Sequence, residues 1–427
     1  MKHSDAASAG AQKSANHDQI VIAGGGYVGL CTAVAIRSAA PTIGVTVIDA
    51  APAEAVENDN RASAIAAAAT RMLDELGIWE RIAQDAQPIR EMIVTDSKLA
   101  DATRPVFLTF AGSRGADGTS EGNHDAPFAH MMPNRSLVKA LREKALETGI
   151  SLVHGDSVTG FETGPASVMI TMQSGQRLEA SLLIAADGVR SQLRDAAGIK
   201  AVHWPYDQMG IVVTVAHERP HEGRAEEHFL PAGPFAILPL KGNRSSLVWT
   251  ERTADAKRLM ACDDFAFDLE LEQRFGHKLG EITVEGPRRA FPLGLTLARE
   301  FVRERFALAG DAAHGVHPIA GQGLNLGFKD AAALAETVVE AHRLGLDFGS
   351  MAVLERYQMW RRFDTVQMGV TTDVLNRLFS NDNPLLRITR DVGLGLVDRM
   401  PGMKQYFISQ AAGNQSGAPK LLAGQPI

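Results

Sequence analysis

An α/β fold, in which a parallel-sheet domain is interrupted by an antiparallel sheet and followed by a helical C-terminal region, is predicted by three features of this chain. A glycine-rich turn, Gly24-x-Gly26-x-x-Gly29, follows a short apolar run near the start. Far along the chain, Gly310 to Asp330 reads GDAAHGVHPIAGQGLNLGFKD. Between them, from Gly210 to about Pro292, the apolar period becomes mostly two, with runs at Ile211–Ala216, Phe235–Leu240 and Ser246–Thr250. That period suits an antiparallel sheet with one face toward a ligand.

The elements follow in order. Gln19–Ala23 is an apolar run bounded by glycine, which predicts a buried parallel strand, and Leu30–Ser38 predicts the helix after it. Gly24 permits the tight turn, Gly26 lets backbone approach a pyrophosphate, and Gly29 lets helix pack on strand. The phosphates would sit at the helix N-terminus, where free N–H groups and the helix dipole favour anions. A second strand, Val45–Ile48, ends at Asp49, where an acid accepts hydrogen bonds from an adenosine ribose. This register predicts a Rossmann-type dinucleotide-binding unit.

Ala62–Leu76 reads as a helix, Ile89–Ser97 and Val106–Phe110 as strands, and Gly112–Gly122 as a glycine-rich loop. Ser136–Thr148 is an amphipathic helix. Ser151–Gly160 and Val168–Met172 read as strands, and Leu182–Ala186 as a buried strand ending at Asp187-Gly188. Arg305–Ala309 is a strand that delivers Gly310-Asp311 at its carboxyl end, the ligand-facing edge of an open parallel sheet. Asp311 is placed to accept hydrogen bonds from ribityl hydroxyls. The turn from His317 through Pro318, Gly321 and Gly323 leads into a helix over Leu324–Arg343, whose first N–H groups would face the pyrimidine end of a flavin. Two remote segments converging on one long cofactor predict FAD.

The expected organisation is a disordered leader over 1–18, a discontinuous FAD-binding domain over 19–88, 131–200 and 296–350, a substrate-binding β-sheet domain over 89–130 and 201–295, and a helical region over 351–427. A net charge of −7 argues against a nucleic-acid partner, which needs a basic footprint. Two cysteines, Cys31 and Cys262, supply neither a disulfide framework nor a zinc site, so no metal is expected. The leader lacks the apolar core of a secretory signal, which predicts a cytoplasmic protein. Ile20–Ile36 is uncharged, but its glycines and strand-turn-helix register favour the dinucleotide fold over a membrane span.

At the glycine turn, Asp59-x-Arg61, Asn134-Arg135, the segment ADGVRSQLRDAAGI, the Gly310–Asp330 string, Tyr357-x-x-x-Arg361 and Gly417-x-Pro419-x-Leu421, the chain resembles the group A flavoprotein monooxygenases. Within them it is similar to the ubiquinone-biosynthesis hydroxylases of the 2-polyprenyl-6-methoxyphenol hydroxylase type. The resemblance implies that Arg61 and Arg135 lie along the FAD, that Asp187 and Gly188 serve both the flavin and a nicotinamide donor, and that Pro318, Gly321, Gly323 and Asn325 belong to the flavin site. Arg190 and Arg194 stand equally as recruiters of donor phosphates or as solvated helix residues. The chain has no second GxGxxG, so NADH or NADPH would visit as a transient reductant. The implied activity is hydroxylation, with molecular oxygen, of the ring of a prenylated phenol or quinone precursor. A flavin monooxygenase for a soluble aromatic or another lipid, and a flavin-binding scaffold in a quinone-biosynthesis complex, are the alternatives.

Two departures from the family pattern stand out. Tyr27 lies inside the first glycine turn, at a position expected to point away from the phosphates. Glu227-His228-Phe229 replaces an expected glutamine-arginine pair, which leaves the role of that segment open. No catalytic base is identified. His317 adjoins the flavin turn, and a loop-fixing role is its alternative. The apolar tail, with Leu378, Phe379, Val392 and Leu394 among interspersed arginines, either closes the core or touches partner proteins or the inner membrane peripherally.

Overall fold

The structure, a computed structural model, describes residues 18–96, 99, 106–111, 127–317, 322–379 and 417–427. Residues 1–17 of the expected leader and the Gly112–Gly122 loop lie outside the described residues. Among the described residues the nucleotide domain centres on a six-stranded sheet. Its order is Val302–Arg303, Phe306–Leu308, Leu182–Ala185, Gln19–Ala23, Gly44–Asp49 and Ser151–His154. All pairings are parallel except the first. The central strands are continuous apolar runs because helix Tyr27–Ala39 and the three-stranded sheet Val158–Thr163, Val168–Met172 and Arg177–Ala180 both pack against them, and Ile20, Val21, Ile22, Leu182 and Leu183 are essentially inaccessible. The first helix, Tyr27–Ala39, is buried over Val28–Ile36 and packs against helices Asn134–Glu147 and Gln322–Arg343.

An eight-stranded sheet of the described residues forms the second layer. It runs His314–Gly315, Ile282–Ala298, Ala201–His217, Arg244–Arg252, Gly233–Leu240, Arg224–Leu230, Glu91–Asp96 and Val106–Ala111. One face packs on helices Thr253–Ala261 and Asp264–Phe275 through Phe235, Trp249, Phe267 and Leu271. The opposite face carries Met92, Ala225 and Leu238 toward the nucleotide domain. Thr296 pairs with Gly315, so the Gly310–Asp330 string is hydrogen-bonded into this sheet as well.

Three local expectations need correction. Ala62–Leu76 is not one helix. Ala62–Ala66 is a strand paired with Ala129–Pro133, and the helix begins at Ala67. Alanine's helix preference gives way to the cross-strand ladder there. Ser151–Gly160 divides into Ser151–His154 and Val158–Thr163, with Gly155 at φ +73° between them. Arg305 lies outside its expected strand at φ +58°, buried and bonded to the Ser181 and Pro165 carbonyls and to Asp347.

The last long helix, Met351–Phe379, packs on helix Gln322–Arg343 and on strands of both sheets. Leu354 and Tyr357 are buried, whereas Met359, Phe363, Val366, Val370 and Val374 are exposed. The apolar positions expected between 380 and 416 lie outside the described residues.

Candidate functional site

The glycine turn is shaped by contacts a side chain would destroy. Gly24 has φ +113°, and a Cβ there would lie 2.2 Å from the Ala186 carbonyl oxygen. At Gly29 a Cβ would come within 2.0 Å of the Gly24 oxygen, so the helix starts directly under the turn. Gly26, which caps the helix, differs. It is exposed, and a Cβ would meet nothing within 4 Å. The first helical turn carries no acid, and its leading N–H groups have no intrahelical partners, so the open space beside Gly26 suits an anion.

Asp49 stands next to this space, since a Cβ at Gly25 would lie 2.6 Å from its Oδ2. Its Oδ1 accepts the Ala51 N–H at 3.1 Å, and Arg142 Nη2 approaches Oδ2 at 3.4 Å. Asp59 and Arg61 form a two-pronged pair, Nε to Oδ1 and Nη2 to Oδ2, each at 2.8 Å. Burial works against ionisation of Asp59, but the Arg61 hydrogen bonds and charge hold its carboxyl below the usual range. The Arg61 carbonyl accepts the Asn134 N–H at 2.9 Å, so Asp59-x-Arg61 and Asn134-Arg135 form one junction. The Arg61 guanidinium also lies 5.7 Å from the Phe291 ring centroid, which bridges to the large sheet. Arg135 is exposed.

Gly188 has φ +87° with open space where a Cβ would be. Burial raises the pKa of Asp187, partly offset by a hydrogen bond from Ser191. Arg194 is not a solvated helix residue, although it lines the cavity described below. It is buried, and Nη1 donates to the Val189 and Ala312 carbonyls at 3.1 Å each. Arg190 is exposed and lines the cavity described below.

Gly310 (φ +63°) and Asp311 follow the Phe306–Leu308 strand as expected. Beneath them lies a charge network that sequence reasoning missed. Asp330 Oδ2 accepts the Gly310 N–H at 2.9 Å and meets His314 Nε2 at 2.5 Å. Its Oδ1 accepts Arg361 Nε at 2.8 Å, and Arg361 and Lys329 both reach Asp364, at 2.7 and 3.1 Å. Burial opposes ionisation of Asp330, yet His314 and Arg361 hold its carboxyl below the ordinary range. Tyr357, one helical turn before Arg361, donates to the Leu308 carbonyl at 2.7 Å. The only sequence signal was spacing: Asp330 closes the Gly310 string, and Tyr357 and Arg361 share a helix face.

A cavity of about 870 Å³ joins the two layers. Tyr27, Asp311, Gly323 and Asn325 line one side, and Met92, Ala225, Glu227, Leu238 and Leu293 line the other. Asp311 is exposed to it, although the surrounding protein raises its carboxyl pKa. Tyr27, inside the glycine turn, lines this cavity, and burial raises its hydroxyl pKa, with the Asp311 charge adding to the effect. A Cβ at Gly323 would meet nothing within 4 Å, so backbone there is open to a ligand. Asn325 is a strut: Oδ1 accepts the Ala66 N–H and Nδ2 donates to the Ala64 carbonyl, both at 2.9 Å. Pro318 and Gly321 lie outside the described residues. His317 is buried against the Tyr206 ring, 5.5 Å between centroids, and does not line the cavity. Burial lowers its pKa to about 4.

Open backbone at Gly26, Gly188 and Gly323, with Asp49 and Asp311 beside them, fits a long dinucleotide running from the first helix to the cavity. A family model described as FAD binding domain matches residues 17–363. The ubiquinone hydroxylase UbiL of Rhodospirillum rubrum is 42% identical over 415 residues, which is 96% of this chain and 93% of that protein. The 3-demethoxyubiquinol 3-hydroxylase of Escherichia coli is 33% identical over 402 residues, 92% of this chain and 98% of that one. Among solved structures, p-nitrophenol 4-monooxygenase PnpA from Pseudomonas putida superposes with a TM-score of 0.75 at 20% identity, over 93% of this chain and 99% of that one.

Proposed function

We infer that this chain, which belongs to the FAD binding domain family of ubiquinone-biosynthesis hydroxylases, is an FAD-dependent monooxygenase that uses NAD(P)H and oxygen to hydroxylate a polyprenylated phenol. The observation that carries the reading is the shared cavity, lined by Tyr27, Asp311, Gly323 and Asn325 of the nucleotide domain on one side and by a largely apolar sheet wall on the other.

When bound, the flavin supplies electron transfer from the nicotinamide and activation of oxygen. The residues supply the rest. Gly26 and the helix behind it would receive the pyrophosphate, Asp49 the ribose, and Asp311 the ribityl hydroxyls. Arg61 and Arg135 would lie along the dinucleotide, with Arg61 already oriented by Asp59. Asp330 holds the Gly310 N–H and so fixes the turn that presents Asp311. Met92, Leu238, Val248 and Leu293 keep water from the ring of the substrate.

The exposed side chains on the last helix support peripheral contact with a membrane, where a prenylated substrate resides. Met359, Phe363, Val366, Val370 and Val374 recur at three- and four-residue spacing on one face. Arg377 stacks over the exposed Trp204 ring at 4.5 Å, and Trp204 lies between His203 and Pro205 of the cavity lining. No helix of the described residues is long and apolar enough to cross a membrane. Flotation with anionic vesicles, lost on Phe363→Glu with Val370→Glu, is the expected result, and unchanged flotation refutes this contact.

The catalytic reading is tested with purified, flavin-loaded protein. NAD(P)H consumption rises on adding a prenylphenol, and mass spectrometry finds one added oxygen in the product. A yellow protein whose NAD(P)H consumption no prenylphenol stimulates would instead support the scaffold reading.

A further inference from the structure

We propose that His203 is the catalytic base, taking the hydroxyl proton of the substrate ring at Nε2, and that Thr296 positions it. The proposal rests on the hydroxylase reading for the nature of the ring. For the rest it rests on a row of residues that joins the large sheet to the Gly310–Asp330 string.

His203 belongs to strand Ala201–His217, where alternation puts Ala201, His203 and Pro205 on the cavity face. Directly across the ladder from His203 lies Thr296, and directly across from Thr296 lies Gly315 of the string. Neighbouring strands are about 4.8 Å apart, so this row brings the His203 backbone to about 10 Å from the string, a gap that its side chain and a substrate ring can fill. Among the described residues, His203 is the one histidine of the cavity lining. It is exposed, and its Nδ1 meets the buried Thr296 Oγ1 at 3.0 Å. Nε2 has no hydrogen-bond partner among the described residues. The ring rests beside Gly294, where an added Cβ would stand 3.8 Å from its Cε1. His317, by contrast, is buried and outside the lining.

A neutral imidazole carries its hydrogen on one ring nitrogen and a lone pair on the other. With the hydrogen on Nδ1 donated to Thr296 Oγ1, the lone pair falls on Nε2. Protonation of Nε2 leaves that hydrogen bond intact, so the ring need not turn between its two charge states. In the step, the O–H bond of the phenol breaks and an N–H bond forms at Nε2, which leaves phenolate beside imidazolium. Nothing is oxidised in this transfer. The negative charge feeds the ring carbons that are hydroxylated, and the proton returns to the same oxygen of the product. Imidazole suits this exchange because it gives and takes a proton near neutral pH. The other charged or titratable groups of the lining are Tyr27, Arg190, Arg194, Asp195, Glu227 and Asp311. They stay the same when His203 or Thr296 is replaced, so a difference between variants reports the pair.

The test uses the flavin-loaded full chain in two arms. In the first, without NAD(P)H, a nitro-substituted prenylphenol is bound and its ionisation is followed by difference absorption across pH. On the native protein it is expected to ionise about one pH unit below the free phenol, a tenfold shift in its equilibrium. On His203→Gln and Thr296→Val that shift is lost, and on Thr296→Ser, which restores the hydroxyl, it returns. In the second arm, kcat for an ordinary prenylphenol at neutral pH falls about 100-fold in His203→Gln, with flavin content and unfolding midpoint unchanged. A more acidic phenol recovers the variant to within about tenfold of the native rate, because that substrate needs less help to ionise. Ionisation at the same pH on the native protein and His203→Gln overturns the proposal, as does a loss of kcat that is equal for acidic and ordinary phenols. An unchanged kcat in His203→Gln overturns it too and leaves the hydroxylase reading standing. A shift that depends on His203, without any turnover, would sink the hydroxylase reading and leave His203 in place as a proton acceptor.

Discussion

On the nucleotide side the glycine turn is a wall of backbone, with Gly24 held against the Ala186 carbonyl, Gly29 against Gly24, and Gly26 left open beside them, as Gly323 is at the cavity. On the sheet side it is made of side chains, with Met92, Ala225, Glu227, Leu238 and Val248 projecting from successive strands. A backbone wall tolerates almost no substitution at its close contacts, because an added Cβ has nowhere to go. A side-chain wall keeps its shape under many substitutions of similar volume. The first therefore marks the sequence with glycines at fixed spacing. The second marks it only with alternation.

The largest expected effect breaks the first wall. Gly24→Ala meets both an unfavourable φ and a carbonyl oxygen at 2.2 Å, for a combined cost of about 5 kcal/mol. Loss of both folded protein and flavin in a thermal-unfolding and absorbance assay is expected. Gly26→Ala is the sharper experiment, since the added methyl meets open space. It should unfold within about 0.5 kcal/mol of the native apo-protein, yet retain little flavin. Flavin retained at the native ratio would show that the space beside Gly26 is not the phosphate site.

The next effect lies under that wall. Asp330→Asn removes the charge that His314 and Arg361 share and weakens the acceptor for the Gly310 N–H. Leaving Arg361 without this buried partner costs about 4 kcal/mol, measurable as a lower urea midpoint at unchanged slope. Loss of flavin with little loss of stability would assign Asp330 to the ligand rather than to the fold.

How much was legible follows from the same contrast. Gly24, Gly26, Gly29, Asp49, Gly310 and Asp311 were placed from spacing alone, because each answers a local demand of a strand-turn-helix unit. Long-range partners were not. Nothing near Asp330 in sequence announces Arg361, and alanine at 62–66 suggested helix until pairing with Ala129–Pro133 made a strand. Arg194 looked like its neighbour Arg190, and only the fold shows that of these two cavity-lining residues one is buried and bonded to backbone carbonyls and the other exposed. In the sheet, period two gave the strands at Ile211–Ala216, Phe235–Leu240 and Ser246–Thr250 and left the role of Glu227-His228-Phe229 open. It gave no hint of which face met the cofactor domain.

His317 sits where the two walls meet, in the flavin string but packed on Tyr206 of the sheet domain. Burial depresses its pKa from 6.5 to about 4. Between those values the unfolded chain binds a proton that the folded chain refuses, so stability rises with pH through the window and is lost as pH falls. The full effect is about 3 kcal/mol, from 1.36 kcal/mol per pKa unit. His317→Leu should flatten the difference in unfolding free energy between pH 6.5 and pH 4 relative to the native chain. Equal slopes for the two proteins would show that the ring is solvated after all, and that the seam is looser than its packing implies.

The smallest effect concerns the cavity's charged edge. Arg190 and Arg194 are four residues apart on a segment whose helix starts at Gln192, but only Arg194 is built into the protein, through the Val189 and Ala312 carbonyls. A charge-assisted contact to a donor phosphate at an exposed site is worth about 1 kcal/mol. Arg190→Ala is therefore expected to raise KM for NAD(P)H about fivefold, with flavin content, unfolding midpoint and the response to the prenylphenol unchanged. Raised salt should narrow the gap between native and variant, because exposed charges are screened. Arg194→Ala should instead lower the unfolding midpoint, since two backbone acceptors lose their donor. If Arg190→Ala leaves KM unchanged while the prenylphenol response weakens, Arg190 belongs to the substrate's edge of the cavity and the donor approaches from elsewhere.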